Sequence, residues 1–456
     1  MRRHCEWLVS LCLVFGGLAF GDRPTLAVAS PPGSRQETVT TARTLEQLRA
    51  AGPAGLERLL AQRRELEQSL AVGADAEAVQ QQIAALDQQL DFVGGALRTA
   101  QSQLYWYTDL QEAQQAAQRT GRPILHLRLL GKLTDEYSCA NSRFFRSLLY
   151  SNDDIARYLR AHYILSWQTV RNAPRITIDF GDGRTIERTI TGNSIHYVLS
   201  SDGTVIDALP GLYGPQAFLK RLEAAAEWST KYHAAPPEAR QSLLVRHHVE
   251  QMLETAKRWH ADLEAIEAPF SRDGVLLALP QGPIRIRDEA DLESCLKQFG
   301  DERTAADALA RHLGWLNQTV TETQWRQIAM RHADEAKIDE ATRERMRAER
   351  PMAAAAGRLA MTKRVVEDPM LRLVRNLEGV AAFDTVRNDY ALRCEILSLI
   401  ARNPATMTRV DPLNEIVYDE VFLMPLHDPW LGLAPADVYT GLPDAGTRSP
   451  RVAERR

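Results

Sequence analysis

Apolar residues recur at helical spacing near the start of the chain, over residues 43–103. One stripe consists of Leu56, Leu59, Leu60, Leu66 and Leu70, and the next of Val79, Ile83, Leu86, Leu90 and Val93. A break over residues 72–76 separates the two stripes. Residues three and four positions apart share one face of a helix, so the pattern predicts a helical hairpin or short coiled coil. Such an element would serve for packing or for dimerisation.

Strand-like and helix-like patterns alternate in the middle of the chain, over residues 104–228. The apolar run at residues 122–130 is typical of a buried strand. Between residues 174 and 191, two alternating runs flank Gly181 and Gly183, which predicts a β-hairpin. We therefore expect an α/β domain over residues 104–228, with a β-hairpin inserted at residues 174–191.

The remainder of the chain is mostly helical in its pattern. Residues 238–266, 301–347 and 358–402 have apolar positions at helical spacing. We predict a mostly helical C-terminal domain over residues 229–442 and a disordered tail over residues 443–456. The predicted fold class is α/β plus α.

Cys139 lies where a chemically active thiol would be expected. It follows the strand of residues 122–130 after a short loop, and it precedes a helical pattern. Unpaired N–H groups and the dipole at a helix N-terminus stabilise a thiolate, whereas the charges of Asp135 and Glu136 oppose it. The residue three positions later is Ser142, so this Cys-x-x-Ser segment cannot close a disulfide of its own.

The order of these segments resembles the thioredoxin-like family from about residue 105 to residue 225. Residues 108–123 are similar to the family's opening helix and to the Arg-Pro step into its central strand. Residues 155–168 are similar to the next helix and strand, residues 194–213 to the last two strands, and residues 214–226 to the closing helix. The whole chain resembles exported bacterial proteins that embed a degenerate domain of this family.

The resemblance implies that the strand at residues 122–130 is central and that the strand after Ser194 lies antiparallel beside it. Cys139, Ser194 and His196 should then lie at one end of the sheet. The chain departs from the family in two places. Ser142 replaces the second cysteine, and Ser194 occupies the position of the family's cis-proline, so the peptide bond before it is expected to be trans.

The candidate catalytic residues are Cys139, His196 and Ser194. Cys139 would act as a monothiol nucleophile, and His196 would hydrogen-bond or deprotonate it, because it points to the same face of its strand as Ser194. In the alternative interpretation, Cys139 is a small apolar residue between loop and helix, and His196 is a core histidine with its hydrogen bonds satisfied. The sequence leaves both interpretations open.

The N-terminus has the composition of an export signal. A short basic start precedes an apolar run over residues 7–20, and small residues end at Ala29. The apolar run is too short to span a bilayer comfortably. We therefore predict a cleaved signal peptide over residues 1–29, a flexible lead-in over residues 30–42, and a periplasmic or secreted protein with no membrane span after cleavage.

Charge and cysteine usage narrow the classes of function. The formal net charge of −4 over 456 residues gives no electrostatic case for nucleic acid as a partner. Signal cleavage would leave Cys139, Cys295 and Cys394, and a bridge between the last two is possible but cannot be deduced from their spacing. No Cys-x-x-Cys segment is present, which excludes c-type haem attachment and a zinc knuckle. We expect no cofactor and no metal.

Two hypotheses about function follow from these observations. The first is a non-dithiol scaffold or protein-interaction module in the cell envelope, with other proteins as its partners. The second is a monothiol redox protein that acts on partner disulfides through Cys139. Whether the protein is an enzyme, which partner it binds and its oligomeric state stay open at this level.

Overall fold

The computed structural model describes residues 35–189, 193–268, 275–277, 284–286, 301–348, 369–434 and 441–447. The predicted signal peptide, residues 1–29, lies outside these ranges, as does Cys295. The fold is mixed α/β with additional helices, as the class α/β plus α predicted. None of the described helices is both long enough and apolar enough to cross a membrane.

The N-terminal part of the described chain is helical. Its elements are α1 (Arg35–Ala50), α2 (Pro53–Ala71), α3 (Ala76–Gly94) and the short α4 (Thr99–Ser102). The side chain of Asp75 caps α3 by accepting the backbone N–H groups of Glu77 and Ala78. The two predicted stripes meet in a small core of their own, formed by Leu56, Leu59, Leu60, Leu86, Leu90 and Val93.

The second half of the segment predicted as a lead-in over residues 30–42 lies in a helix. Helix α1 begins at Arg35 and contains no glycine or proline. Its end is held by Arg49, whose guanidinium donates to the carbonyl oxygens of Val93 at 2.7 Å and Trp106 at 2.5 Å. These contacts are distant in sequence, so the local composition gave no sign of them.

The central part of the chain contains a five-stranded sheet. Its elements follow in the order β1 (Trp106–Tyr107), α5 (Leu110–Thr120), β2 (Ile124–Leu130), α6 (Ala140–Phe144), a π-helix (Phe145–Leu149), α7 (Asp153–His162), β3 (Ile164–Arg171), β4 (Arg175–Asp179), β5 (Thr185–Thr189), β6 (Ser194–Leu199), β7 (Val205–Pro210) and α8 (Pro215–Ala234). The spatial order of strands is β1-β3-β2-β6-β7. Strand β2 is central, entirely buried, parallel to β3 and antiparallel to β6.

Strands β4 and β5 form a separate two-stranded antiparallel sheet within the segment predicted as a hairpin. Ile178 pairs with Ile186, and Arg175 pairs with Thr189 at the base of the hairpin. Gly181 and Gly183 have φ angles of +76° and +87° in the turn. Backbone of this conformation favours glycine, which explains why the two glycines mark the hairpin in the sequence.

The C-terminal part consists mainly of helices. Its elements are α9 (Pro237–Ala265), β8 (Val275–Leu277), β9 (Ile284–Ile286), α10 (Glu302–Thr319), α11 (Glu322–Arg331), a 3₁₀-helix (Ala333–Ala336), α12 (Glu340–Ala348), α13 (Pro369–Arg387), a π-helix (Asn388–Arg393), α14 (Cys394–Arg402), α15 (Pro404–Met407), α16 (Val410–Ile416), a second π-helix (Val417–Val421) and a 3₁₀-helix (Pro443–Gly446). A second core lies among these helices around Trp259, Leu309, Trp325, Tyr390 and Leu397.

The boundaries predicted for the C-terminal part differ from the structure at both ends. The boundary at residue 228 falls inside α8, where Tyr232 is still buried in the core of the sheet. Leu413 and Tyr418, near the other end, pack in that same core, so the last helices belong to the sheet's side of the molecule. The predicted disordered tail, residues 443–456, begins in the short helix Pro443–Gly446, and residues 448–456 lie outside the description.

Candidate functional site

Cys139 is the N-cap residue of α6 and closes a tight loop after β2. Its backbone N–H donates to the carbonyl oxygen of Leu130 at 3.0 Å. Gly131 begins the loop with a φ of +79°, and a Cβ atom there would lie 2.9 Å from the Cα of Ser138. The close approach requires glycine, and it fixes the position of the thiol at the end of the central strand.

Ser194 faces Cys139 across the end of the sheet. It is the first residue of β6 and pairs with Leu129 of β2. Its Oγ lies 2.8 Å from the Sγ of Cys139, and both side chains are completely buried. The peptide bond between Asn193 and Ser194 is trans. The structure therefore brings these two candidate residues together, although 55 positions separate them in the sequence.

His196 lies beneath this pair and does not bond the thiol. Its Nε2 shares a 2.6 Å hydrogen bond with the hydroxyl of Tyr150, and its Nδ1 has no hydrogen-bond partner. Its ring packs between those of Phe145 and Phe218, at centroid distances of 4.6 and 5.1 Å. Burial lowers the pKa of His196 to about 3. The imidazole is thus a weak base inside an aromatic cluster, and the prediction that it could deprotonate Cys139 finds no geometric support.

The position of the missing second cysteine is bound into the loop. The Oγ of Ser142 lies 2.7 Å from the Oγ of Ser138 and 2.8 Å from the carbonyl oxygen of Cys139. The buried Arg146 donates to the carbonyl oxygen of Leu133 at 2.9 Å and to Ser138 at 3.2 Å. These hydrogen bonds fix the loop before Cys139 through buried side chains.

Arg146 is the residue that the sequence interpretation missed at this site. Burial lowers the pKa of its guanidinium to about 10, so it remains positively charged at neutral pH. The available signal was its place inside the apolar run that includes Phe144, Phe145, Leu148 and Leu149. An arginine in such a run needs buried hydrogen-bond acceptors, and the loop before Cys139 supplies them.

Residues 417–428, which we call the C-terminal cover, close the site from outside the sheet. The hydroxyl of Tyr418 donates to the carbonyl oxygen of Asn193 at 3.2 Å, and the side-chain amide of Asn193 donates to the Sδ of Met424 at 3.3 Å. Arg171 donates to the carbonyl oxygens of Leu426 at 3.2 Å and Asp428 at 2.8 Å. The cover thus packs on Asn193, which precedes Ser194, and on Arg171 of β3.

The other described cysteine lies far from this site in sequence. Cys394 is a buried free thiol whose Sγ is 3.7 Å from the carbonyl oxygen of Asp389, and burial raises its pKa to about 11. A bridge to Cys295 was left open by the sequence, and Cys295 lies outside the described residues. Within the described ranges, no group of three or more His, Cys, Asp or Glu side chains is arranged to hold a metal ion.

The site combines a buried thiol, a serine hydroxyl and a buried guanidinium, with a neutral histidine packed below them. Such an arrangement stabilises the end of the sheet, and it offers no open face to a substrate. No protein-family model, curated protein or solved structure matches this chain. The inference of function therefore depends on the geometry of the chain itself.

Proposed function

We propose that this chain is an exported protein of thioredoxin-like fold that acts as a non-dithiol scaffold, a protein-interaction module of the cell envelope. The central position of β2, the antiparallel β6 beside it and the contact between Cys139 and Ser194 support the fold assignment. The basic and apolar composition of residues 1–29 supports export.

The burial of Cys139 is the observation that carries this proposal. Its side chain is 0% exposed, and its nearest polar neighbour is the hydroxyl of Ser194. Thiol–disulfide exchange requires a thiolate to reach the sulfur of a partner disulfide. With the C-terminal cover in place, that approach is blocked. The same elements that would present a nucleophile in a redox protein therefore form a closed, packed end of the sheet.

The alternative function is a monothiol redox protein acting through Cys139. Two features favour it, namely the position of Cys139 at a helix N-terminus and the electrostatic interaction between Cys139 and the buried Arg146. The alternative requires the structure around Cys139 to open, because a partner disulfide cannot reach a completely buried sulfur.

We expect Cys139 of the folded protein to resist alkylation. Iodoacetamide at neutral pH should modify it at least about a hundredfold more slowly than free cysteine, because a buried thiol reacts only when the structure opens. Mass spectrometry of proteolytic peptides measures each cysteine separately. Cys394 serves as the buried control, and both thiols should react fully in guanidinium chloride. Alkylation of Cys139 in the native protein faster than free cysteine would favour the monothiol instead.

Replacing Ser142 with cysteine tests the thioredoxin-like geometry directly. When the Ser142→Cys variant refolds from guanidinium chloride with oxidised glutathione present, the thiols of residues 139 and 142 should form a disulfide, with release of two molecules of reduced glutathione. Intact mass should fall by two hydrogens. A Ser147→Cys variant, altered at another buried serine of the same region, should form no such bond. The native protein should not reduce insulin-type disulfides, since it lacks the second thiol.

A further inference from the structure

The hairpin of β4 and β5 exposes its apolar face to solvent. Cross-strand partners share a face, so Ile178 and Ile186 lie together, and Ile176 lies beside Arg188. Phe180 continues this face next to Arg184, whose carbonyl oxygen accepts its N–H at 3.1 Å. We call these six residues the apolar hairpin face. Ile176, Ile178 and Phe180 are 43%, 46% and 55% exposed.

The opposite face of the hairpin is polar and binds the body of the protein at its base. Arg175 lies 3.7 Å from the carboxylate of Asp135 and 3.3 Å from that of Glu187, and its guanidinium stacks over Tyr137 at 4.3 Å. Thr189 accepts a hydrogen bond from Arg143 at 3.0 Å. These contacts hold the base of the hairpin, whereas the rest of β4 is exposed on both faces, and Ile186 and Arg188 of β5 are half-buried.

The exposure of the apolar residues of β4 is unusual. In an antiparallel sheet with one solvated face, the apolar side chains normally face the core. A two-stranded hairpin is also marginally stable in water unless an apolar face packs against something. Contiguous exposed apolar side chains of this kind mark an interaction surface.

The charges on the apolar hairpin face indicate which partner fits it. The face carries two arginines and no carboxylate. Arg184 pairs with Asp182 in the turn, whereas Arg188 has no carboxylate partner among the residues that the structure describes. A second copy of the same face would bring arginines against arginines.

We infer that the apolar hairpin face binds a segment of a partner protein in which apolar residues alternate or interleave with carboxylates. The apolar side chains of that segment cover Ile176, Ile178 and Phe180, and a carboxylate pairs with Arg188. This inference rests on the proposed scaffold function and names the chemistry of its partner. It also gives a role to the inserted hairpin, which the α/β domain does not need for its own core.

Synthetic peptides test this inference with the full-length protein. One labelled peptide alternates leucine with glutamate, and a second of equal length alternates leucine with lysine. Fluorescence anisotropy should show at least about tenfold tighter binding of the glutamate peptide. Ile178→Asp should weaken that binding at least about tenfold, and Arg188→Glu should shift the preference toward the lysine peptide. Thr177→Asp places the same charge on the opposite face of β4 and should leave binding unchanged.

Each other outcome overturns the inference. If both peptides bind equally well, or if Ile178→Asp leaves binding unchanged, the apolar hairpin face is not the binding site. Association with phosphatidylglycerol-containing vesicles that Ile178→Asp abolishes, without peptide binding, assigns the face to a membrane surface. A concentration-dependent dimer that the same variant dissociates assigns it to a second copy. Alkylation of Cys139 in the same samples reports separately on the scaffold function, because the hairpin variants leave that thiol buried.

Discussion

The burial of three neutral histidines is expected to lower the free energy of unfolding by about 6 kcal/mol as the pH falls from about 7 to about 5. His126, His196 and His248 are completely buried, and burial lowers their pKa values to about 3, about 3 and about 4. In the unfolded chain each would have a pKa of about 6.5 and would take up a proton over this range. Protonation of each histidine in the unfolded chain therefore lowers the free energy of unfolding by about 2 kcal/mol at about pH 5.

The sign of this effect follows from the neutral state of the three rings in the fold. Their contribution is fully present above about pH 6.5 and is lost as the pH falls toward their folded-state pKa values. Because domains are typically stable by about 5–15 kcal/mol, the loss approaches the whole stability of the protein. Denaturant unfolding at several pH values between about 7 and 5 measures it.

Single substitutions separate this effect from general acid denaturation. His248 Nε2 lies 3.0 Å from the carbonyl oxygen of Ile206, and in His248→Gln an amide can keep that bond without titrating. Between about pH 7 and 5, the free energy of unfolding of this variant should fall by about 2 kcal/mol less than that of the native protein. His427, whose side chain is 87% exposed, is the matched control, and His427→Gln should leave the dependence unchanged. A His248→Gln variant with the same pH dependence as the native protein would contradict the burial of a neutral His248.

Replacing Arg393 with methionine should destabilise the protein by about 3–5 kcal/mol. Arg393 is buried on the π-helix Asn388–Arg393, and its Nε and Nη2 donate to the two carboxylate oxygens of Asp207 at 3.0 and 2.9 Å. Asp207 belongs to β7, so this ion pair joins the sheet to the C-terminal helices. Burial alone would raise the pKa of Asp207, but the charge of Arg393 holds it below its usual range.

The cost arises because a buried carboxylate would lose its partner. The double variant Arg393→Met with Asp207→Leu removes both charges and should recover most of the stability lost in the single variant. Lys231→Met provides the comparison with an exposed ion pair, because Lys231 and Glu227 are 2.7 Å apart on the surface of α8. That variant should leave the free energy of unfolding nearly unchanged, because solvent screens an exposed ion pair. If the single Arg393→Met variant is as stable as the native protein, this ion pair does not stabilise the contact between the sheet and the C-terminal helices.

Elements that depend on residues close together in the sequence could be predicted. The leucine stripes give α2 and α3 because helical spacing alone creates their small core, and two glycines with positive φ give the turn between β4 and β5. The contact between Cys139 and Ser194 followed from the strand order that the family resemblance implied. The role of each side chain in catalysis stays a prediction.

Features that depend on distant contacts could not be predicted. Helix α1 is held by Arg49 through the carbonyl oxygens of residues far along the chain. The aromatic surroundings of His196 come from the π-helix and from α8, and neither is visible in the pattern of β6. The C-terminal cover belongs to a segment that the sequence assigned to another domain.

The residues at this end of the sheet are synthesised at different times. Asn193 and Tyr418 are 225 residues apart, and Cys139 precedes both. At about 5–20 residues per second, synthesis needs about 10–45 s to travel from Asn193 to Tyr418. Throughout that interval the thiol-bearing end of the sheet exists without its cover. Any chain cut short before Tyr418 would keep the thiol of Cys139 but lack every contact that the last helices make at this end of the sheet.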